Sequence, residues 1–133
     1  MRSLKWLHSP VTLLLGDWLA LAAVTVIGFS SHGTLSSAPD RFWATFLPLA
    51  AVWAISAELG GLAAPRWDWD RRRAASLGWL AALSAAVAVL LRGLALARPV
   101  EPTFALVMMV ASAAALLLWR SLWVWLASRE VVA

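Results

Sequence analysis

Four long apolar stretches, separated by short polar ones, organise this chain. Within each stretch the apolar residues run almost without break. They neither alternate, as a barrel strand would over about 9–11 residues, nor leave a polar face at a helical period. A helix needs roughly 20 apolar residues to cross a hydrocarbon core. The pattern therefore predicts four membrane-spanning helices, over about residues 10–28, 42–63, 76–97 and 103–127. Pro10 suits a first helical turn, where its missing N–H has no partner to lose. Asp40 is placed to cap the second helix, Pro48 to bend it, and Gly60, Gly61 and Pro65 to end it. Pro99 and Pro102 bracket the turn between the third and fourth. Connections this short join antiparallel neighbours. The expected fold is all-α: a four-helix up-down-up-down transmembrane bundle, forming a single membrane domain over residues 1–133.

Composition strengthens this picture. Of 133 residues, 62% are hydrophobic and 14% charged, against about 25% charged in soluble domains. Too little polar surface remains to cover a soluble globule. The absence of Cys excludes disulfides and thiolate chemistry. The basic start and the run over residues 11–29 resemble a leader. That run is long for a leader and contains Asp17, which predicts a retained first helix.

A net charge of +4 would suggest nucleic acid in a soluble protein. Here the basic residues flank apolar runs, so they read as orientation signals and no nucleic-acid partner is expected. Arg2, Lys5, Arg66, Arg71, Arg72, Arg73 and Arg129 fall on one side, and only Arg41 and Arg98 on the other. The excess places the N-terminus, the middle loop and the C-terminus on the cytoplasmic side of the membrane. Trp6, Trp67, Trp69, Trp79, Trp123 and Trp125 are expected at the inner boundary, and Trp43 at the outer one.

Candidate chemistry rests on the ionisable residues inside the spans: Asp17, Glu58, Arg92 and Arg120. Charges in hydrocarbon are costly, so they pair, face the bundle interior or line water. Asp17 and Arg120 each lie seven residues from the inner end of their predicted helices, and Glu58 about five. At about 1.5 Å per residue, all three reach nearly one level. An Asp17–Arg120 pair is expected, with Glu58 as a third member. The plainer reading is a clamp that fixes helix register. The sharper one is a proton or substrate site. Glu58 is the better proton carrier of the two acids, because an arginine facing Asp17 would hold its carboxylate.

The remaining candidates are weaker. Arg92 reads as an anchor at the outer interface, or as a partner of Glu101. His32, beside Gly33, is an outer-side loop residue able to sense external pH. With His8 on the opposite side, the histidines cannot converge on a metal. Arg71, Arg72 and Arg73 are candidates for anionic lipid, besides serving as the orientation signal. No phosphate-binding loop, dinucleotide fingerprint, HExxH or GxSxG is present, so no enzyme activity, cofactor or metal is expected. The Ala-rich third and fourth helices allow close backbone approach.

Several short segments together resemble the small prokaryotic membrane proteins grouped as domain of unknown function 3054. They are Gly16-Asp17, Gly28 with Ser31-His32-Gly33, Leu91-Arg92-Gly93, Phe104-Ala105-Leu106-Val107 and Trp119-Arg120. The resemblance covers nearly the whole chain. It implies four helices and a membrane location, and no activity. Its residues Asp17, His32, Arg92 and Arg120 become the first to test. The expected role is a non-catalytic subunit or assembly and stabilising factor of a membrane complex, with the lipid bilayer and a protein partner as its contacts. The alternative is a small ion- or proton-coupled solute transporter acting as a homo-oligomer. Small multidrug exporters share the size, the four helices and one acid in helix one.

Overall fold

The computed structural model describes residues 5–33, 37, 39–66 and 68–132; Arg2 and Trp67 lie outside them. A 3₁₀ turn, Lys5–His8, leads into four helices: α1 Pro10–Ser31, α2 Pro39–Leu59, α3 Arg71–Ala95 and α4 Pro102–Val132. No strand is found among the described residues. All four helices are long and apolar enough to cross a membrane.

Their ends follow local chemistry. Ser9 caps α1 by accepting from the Val11 N–H at 3.2 Å, with Pro10 in the first turn. Ser31 extends α1 past residue 28, because its hydroxyl donates back to the helix carbonyls of Ile27 and Gly28. Pro39 opens α2, so Asp40 sits inside the first turn instead of capping it. The helix then runs continuously through Pro48. Asp70 caps α3, accepting from the Arg73 N–H at 2.7 Å. Helix α3 therefore starts at Arg71, five residues before the position expected, and Arg71, Arg72 and Arg73 form its first turn.

The exit of α2 has the largest consequence. Gly61 takes φ +67°, a left-handed conformation that costs glycine nothing. The Gly61 N–H then donates to the Glu58 carbonyl and the Leu62 N–H to the Ala57 carbonyl, the paired bonds of a Schellman motif. Helix α2 stops at Leu59, short of the expected residue 63, and the buried Leu62 folds back against the bundle. The same motif ends α3 with Ala97 at φ +48°.

Each helix packs on its neighbours in sequence, and α1 closes the ring against α4. Arg92 near the end of α3 meets Thr45 and Phe104 near the starts of α2 and α4, so neighbours run antiparallel. The core is built from Leu21, Leu49, Trp53, Leu77 and Leu116, with Ala81, Ala85 and Ala88 bringing α3 close. The polar residues Thr25, Thr45, Ser84 and Ser112 are buried, whereas Leu19, Leu59, Leu94 and Leu118 are more than 70% exposed. Water would oppose that distribution; hydrocarbon would not. Trp6, Trp43, Trp79 and Trp125 are exposed, as residues of a boundary belt would be. Trp123 is not: at 1% exposure it packs on Leu13 between α1 and α4.

Candidate functional site

Asp17 is fully buried and Arg120 only 5% exposed. The Arg120 Nε donates to Asp17 Oδ1 at 2.8 Å, and Nη2 donates to Oδ2 at 2.6 Å. This is the two-pronged geometry in which a guanidinium matches a carboxylate best. Oδ2 also accepts from the Trp53 indole N–H at 2.9 Å. The third arginine nitrogen, Nη1, donates at 2.8 Å to the Leu62 carbonyl, which the turn after α2 has brought over the pair. Acid and base are both satisfied, by groups from α1, α2, α4 and the turn after α2.

Gly16 makes this closeness possible. A Cβ on Gly16 would fall inside the Trp119 indole, the residue preceding Arg120. Only a hydrogen at this position lets α1 approach α4 closely enough for the next side chains along to meet. Leu13 against Trp123 extends the same seam. One residue past Asp17, the Trp18 indole N–H donates to the Ala50 carbonyl of α2 at 3.1 Å.

Glu58 is not part of the bonded network. It lies one residue from the end of α2, its side chain is exposed, and no hydrogen bond or ion pair holds it among the described residues. The early end of α2 leaves it one residue from the helix end, where about five were expected. It still lines a pocket of about 160 Å³ together with Asp17, Arg120 and Ala57. Trp53 occupies the place expected for Glu58, as a neutral donor.

Arg92 does not pair with Glu101. Its Nε donates to the Thr45 hydroxyl at 2.8 Å, and its guanidinium lies 4.7 Å from the centre of the Phe104 ring. The Thr45 hydroxyl in turn donates to the Arg41 carbonyl. His32 is exposed just past α1. Arg73 is engaged by the Gly61 carbonyl at 3.3 Å and by Asp68 at 3.7 Å, which leaves Arg71 and Arg72 as the exposed pair of that turn. No group of three or more metal-binding side chains converges among the described residues.

Sequence reasoning gave Trp53, Leu62 and Gly16 none of these roles, although Gly16 stood in the motif quoted with Asp17. A buried tryptophan usually finds an acceptor for its N–H, and this signal was available for Trp53. The Leu62 carbonyl left no side-chain trace. A family model described as a protein of unknown function, DUF3054, matches residues 14–123, a span that contains Asp17, Trp53, Arg92 and Arg120. No curated protein and no solved structure matches the chain.

Proposed function

The chain belongs to the DUF3054 family, and from that premise we propose that it is a multi-pass protein of a prokaryotic inner membrane, serving as a non-catalytic subunit or stabilising factor of a larger membrane complex. Four apolar helices with polar residues turned inward support the membrane half of this reading. The basic residues at the Arg71 end and at Arg129 favour cytoplasmic termini.

The observation that carries the functional half is the saturation of the Asp17–Arg120 pair. Every carboxylate oxygen and every guanidinium nitrogen is hydrogen-bonded to protein. These charge-assisted bonds, worth about 1.5–3 kcal/mol each, tie α1, α2 and α4 to one another. Such a pair holds helices in register. The test is native mass spectrometry after mild extraction, combined with deletion. A second polypeptide in fixed ratio, whose level falls when this chain is deleted, supports the reading. A chain recovered alone, with no other membrane protein affected by its loss, refutes it.

The transporter reading has one favourable observation: Glu58 has no hydrogen bond or ion pair among the described residues and lines the pocket shared with Asp17 and Arg120. It requires proton-coupled flux in proteoliposomes that Glu58→Gln abolishes. Flux unchanged by that substitution removes Glu58 as the carrier.

A further inference from the structure

Helices α1 and α4 are in contact around Gly16 and Asp17. Toward the Arg92 end, residues of both helices line a cavity of about 550 Å³, within the roughly 300–1,000 Å³ of small-molecule sites. Its walls are apolar, with Val24 and Ile27 from α1 and Val107 and Met108 from α4. Its charged lining is cationic, formed by Arg41 of α2 and Arg92 of α3.

These two arginines have donors to spare. Arg92 commits only Nε to the protein, at Thr45, while Phe104 fixes the guanidinium plane. No acceptor holds its Nη1 or Nη2 among the described residues, and none holds the Arg41 side chain. Arg41 and Arg98 both repel the Arg92 charge. The nearby acids, Asp40 and Glu101, are exposed, and neither forms an ion pair with these arginines among the described residues. Cations gathered beside an apolar void are relieved by an anion that carries apolar mass. Guanidinium forks match phosphate oxygens in particular.

We propose that this cavity binds an anionic phospholipid, its phosphate held by Arg41 and Arg92 and an acyl chain lying between α1 and α4. A zwitterionic lipid would bring an ammonium toward the same arginines and bind less well. The site is distinct from the Arg71 turn at the other end of the bundle. It rests on the membrane reading above, which has its own check: a protein recovered soluble without detergent would refute that reading before any lipid is tested.

The experiment is a lipid titration of the full chain in detergent, followed by native mass spectrometry. Phosphatidylglycerol and phosphatidylcholine of identical acyl chains are compared. Phosphatidylglycerol should be retained at least about tenfold more strongly. Arg41→Gln should reduce that retention by about tenfold without lowering the melting temperature, since the Arg41 side chain makes no hydrogen bond or ion pair among the described residues. Ala111→Phe, in the apolar wall, should block the acyl chain while keeping both arginines. Millimolar inorganic phosphate should not displace the lipid. Equal retention of the two lipids overturns the proposal, as does full retention in Arg41→Gln or in Ala111→Phe. Ready displacement by inorganic phosphate would show a free-anion site and overturn the acyl half.

Discussion

Replacing Arg120 by Met keeps much of the side-chain length and removes the charge. Asp17 would then be a buried carboxylate with the Trp53 N–H as its one remaining donor from the network, and the Leu62 carbonyl would lose its donor too. Breaking a buried pair from one side costs about 3–5 kcal/mol, mostly from the charge left behind. Asp17→Asn strands the guanidinium instead and should cost a similar amount. The double variant strands no charge, and its Asn carbonyl can still accept from Trp53. Its loss should therefore fall short of the summed single losses by at least about 2 kcal/mol, near the upper end of measured couplings. The size of this coupling decides the cause. Neutral hydrogen bonds between membrane helices couple by about 0.6 kcal/mol and reach about 1.7 kcal/mol, so a larger value requires the charges. Unfolding in detergent, followed by the combined fluorescence of the ten tryptophans, gives all four stabilities. Additivity within about 0.5 kcal/mol would refute the clamp.

Other substitutions test the surrounding geometry. Gly16→Ala gains about 1 kcal/mol of helix propensity yet should lower stability by about 1–3 kcal/mol net, because its methyl meets the Trp119 ring; a more stable variant in the same unfolding assay would disprove the close approach. Trp53→Phe should cost about 1–3 kcal/mol in that assay by withdrawing a buried donor from Asp17, and a cost near zero would show that the bond is idle. Ala97→Gly should stabilise by about 1 kcal/mol, since Ala97 holds a left-handed φ of +48°, and thermal melting checks the sign. The chain has no Cys, so Ser76→Cys and Thr103→Cys can map orientation in intact cells. An impermeant maleimide should reach residue 103 without permeabilisation and residue 76 only after it; the reverse pattern would invert the orientation.

Helix number and the meeting of Asp17 with Arg120 could be read in advance because they depend on counting. Apolar runs set helix length, and a fixed rise per residue put both side chains at one depth from the expected ends; the pair meets although α4 runs on to Val132, five residues past the expected end. The same count misplaced Glu58, because it assumed that α2 runs to residue 63. One glycine with a positive φ ends the helix four residues earlier and changes the level of everything near it. The Leu62 carbonyl was invisible for the same reason, since a backbone acceptor is aimed by the turn and not by residue type. Trp123 has the composition of a boundary residue but fills the seam beside Leu13, where packing outweighs propensity. The cavity at Arg41 and Arg92 is a gap between backbones, and no pattern of side chains along one strand of text records a gap.

The bonds at Asp17 also set an order in time. Its tryptophan partner follows 36 residues later in the chain and its arginine partner 103 residues later. At roughly 5–20 residues per second, the ribosome delivers the first within about 2–7 s and the second only after about 5–20 s. For most of that interval the acid has a neutral donor within reach and no counter-ion. Trp53 is thus the partner made first, and the last helix supplies the counter-ion that completes the set.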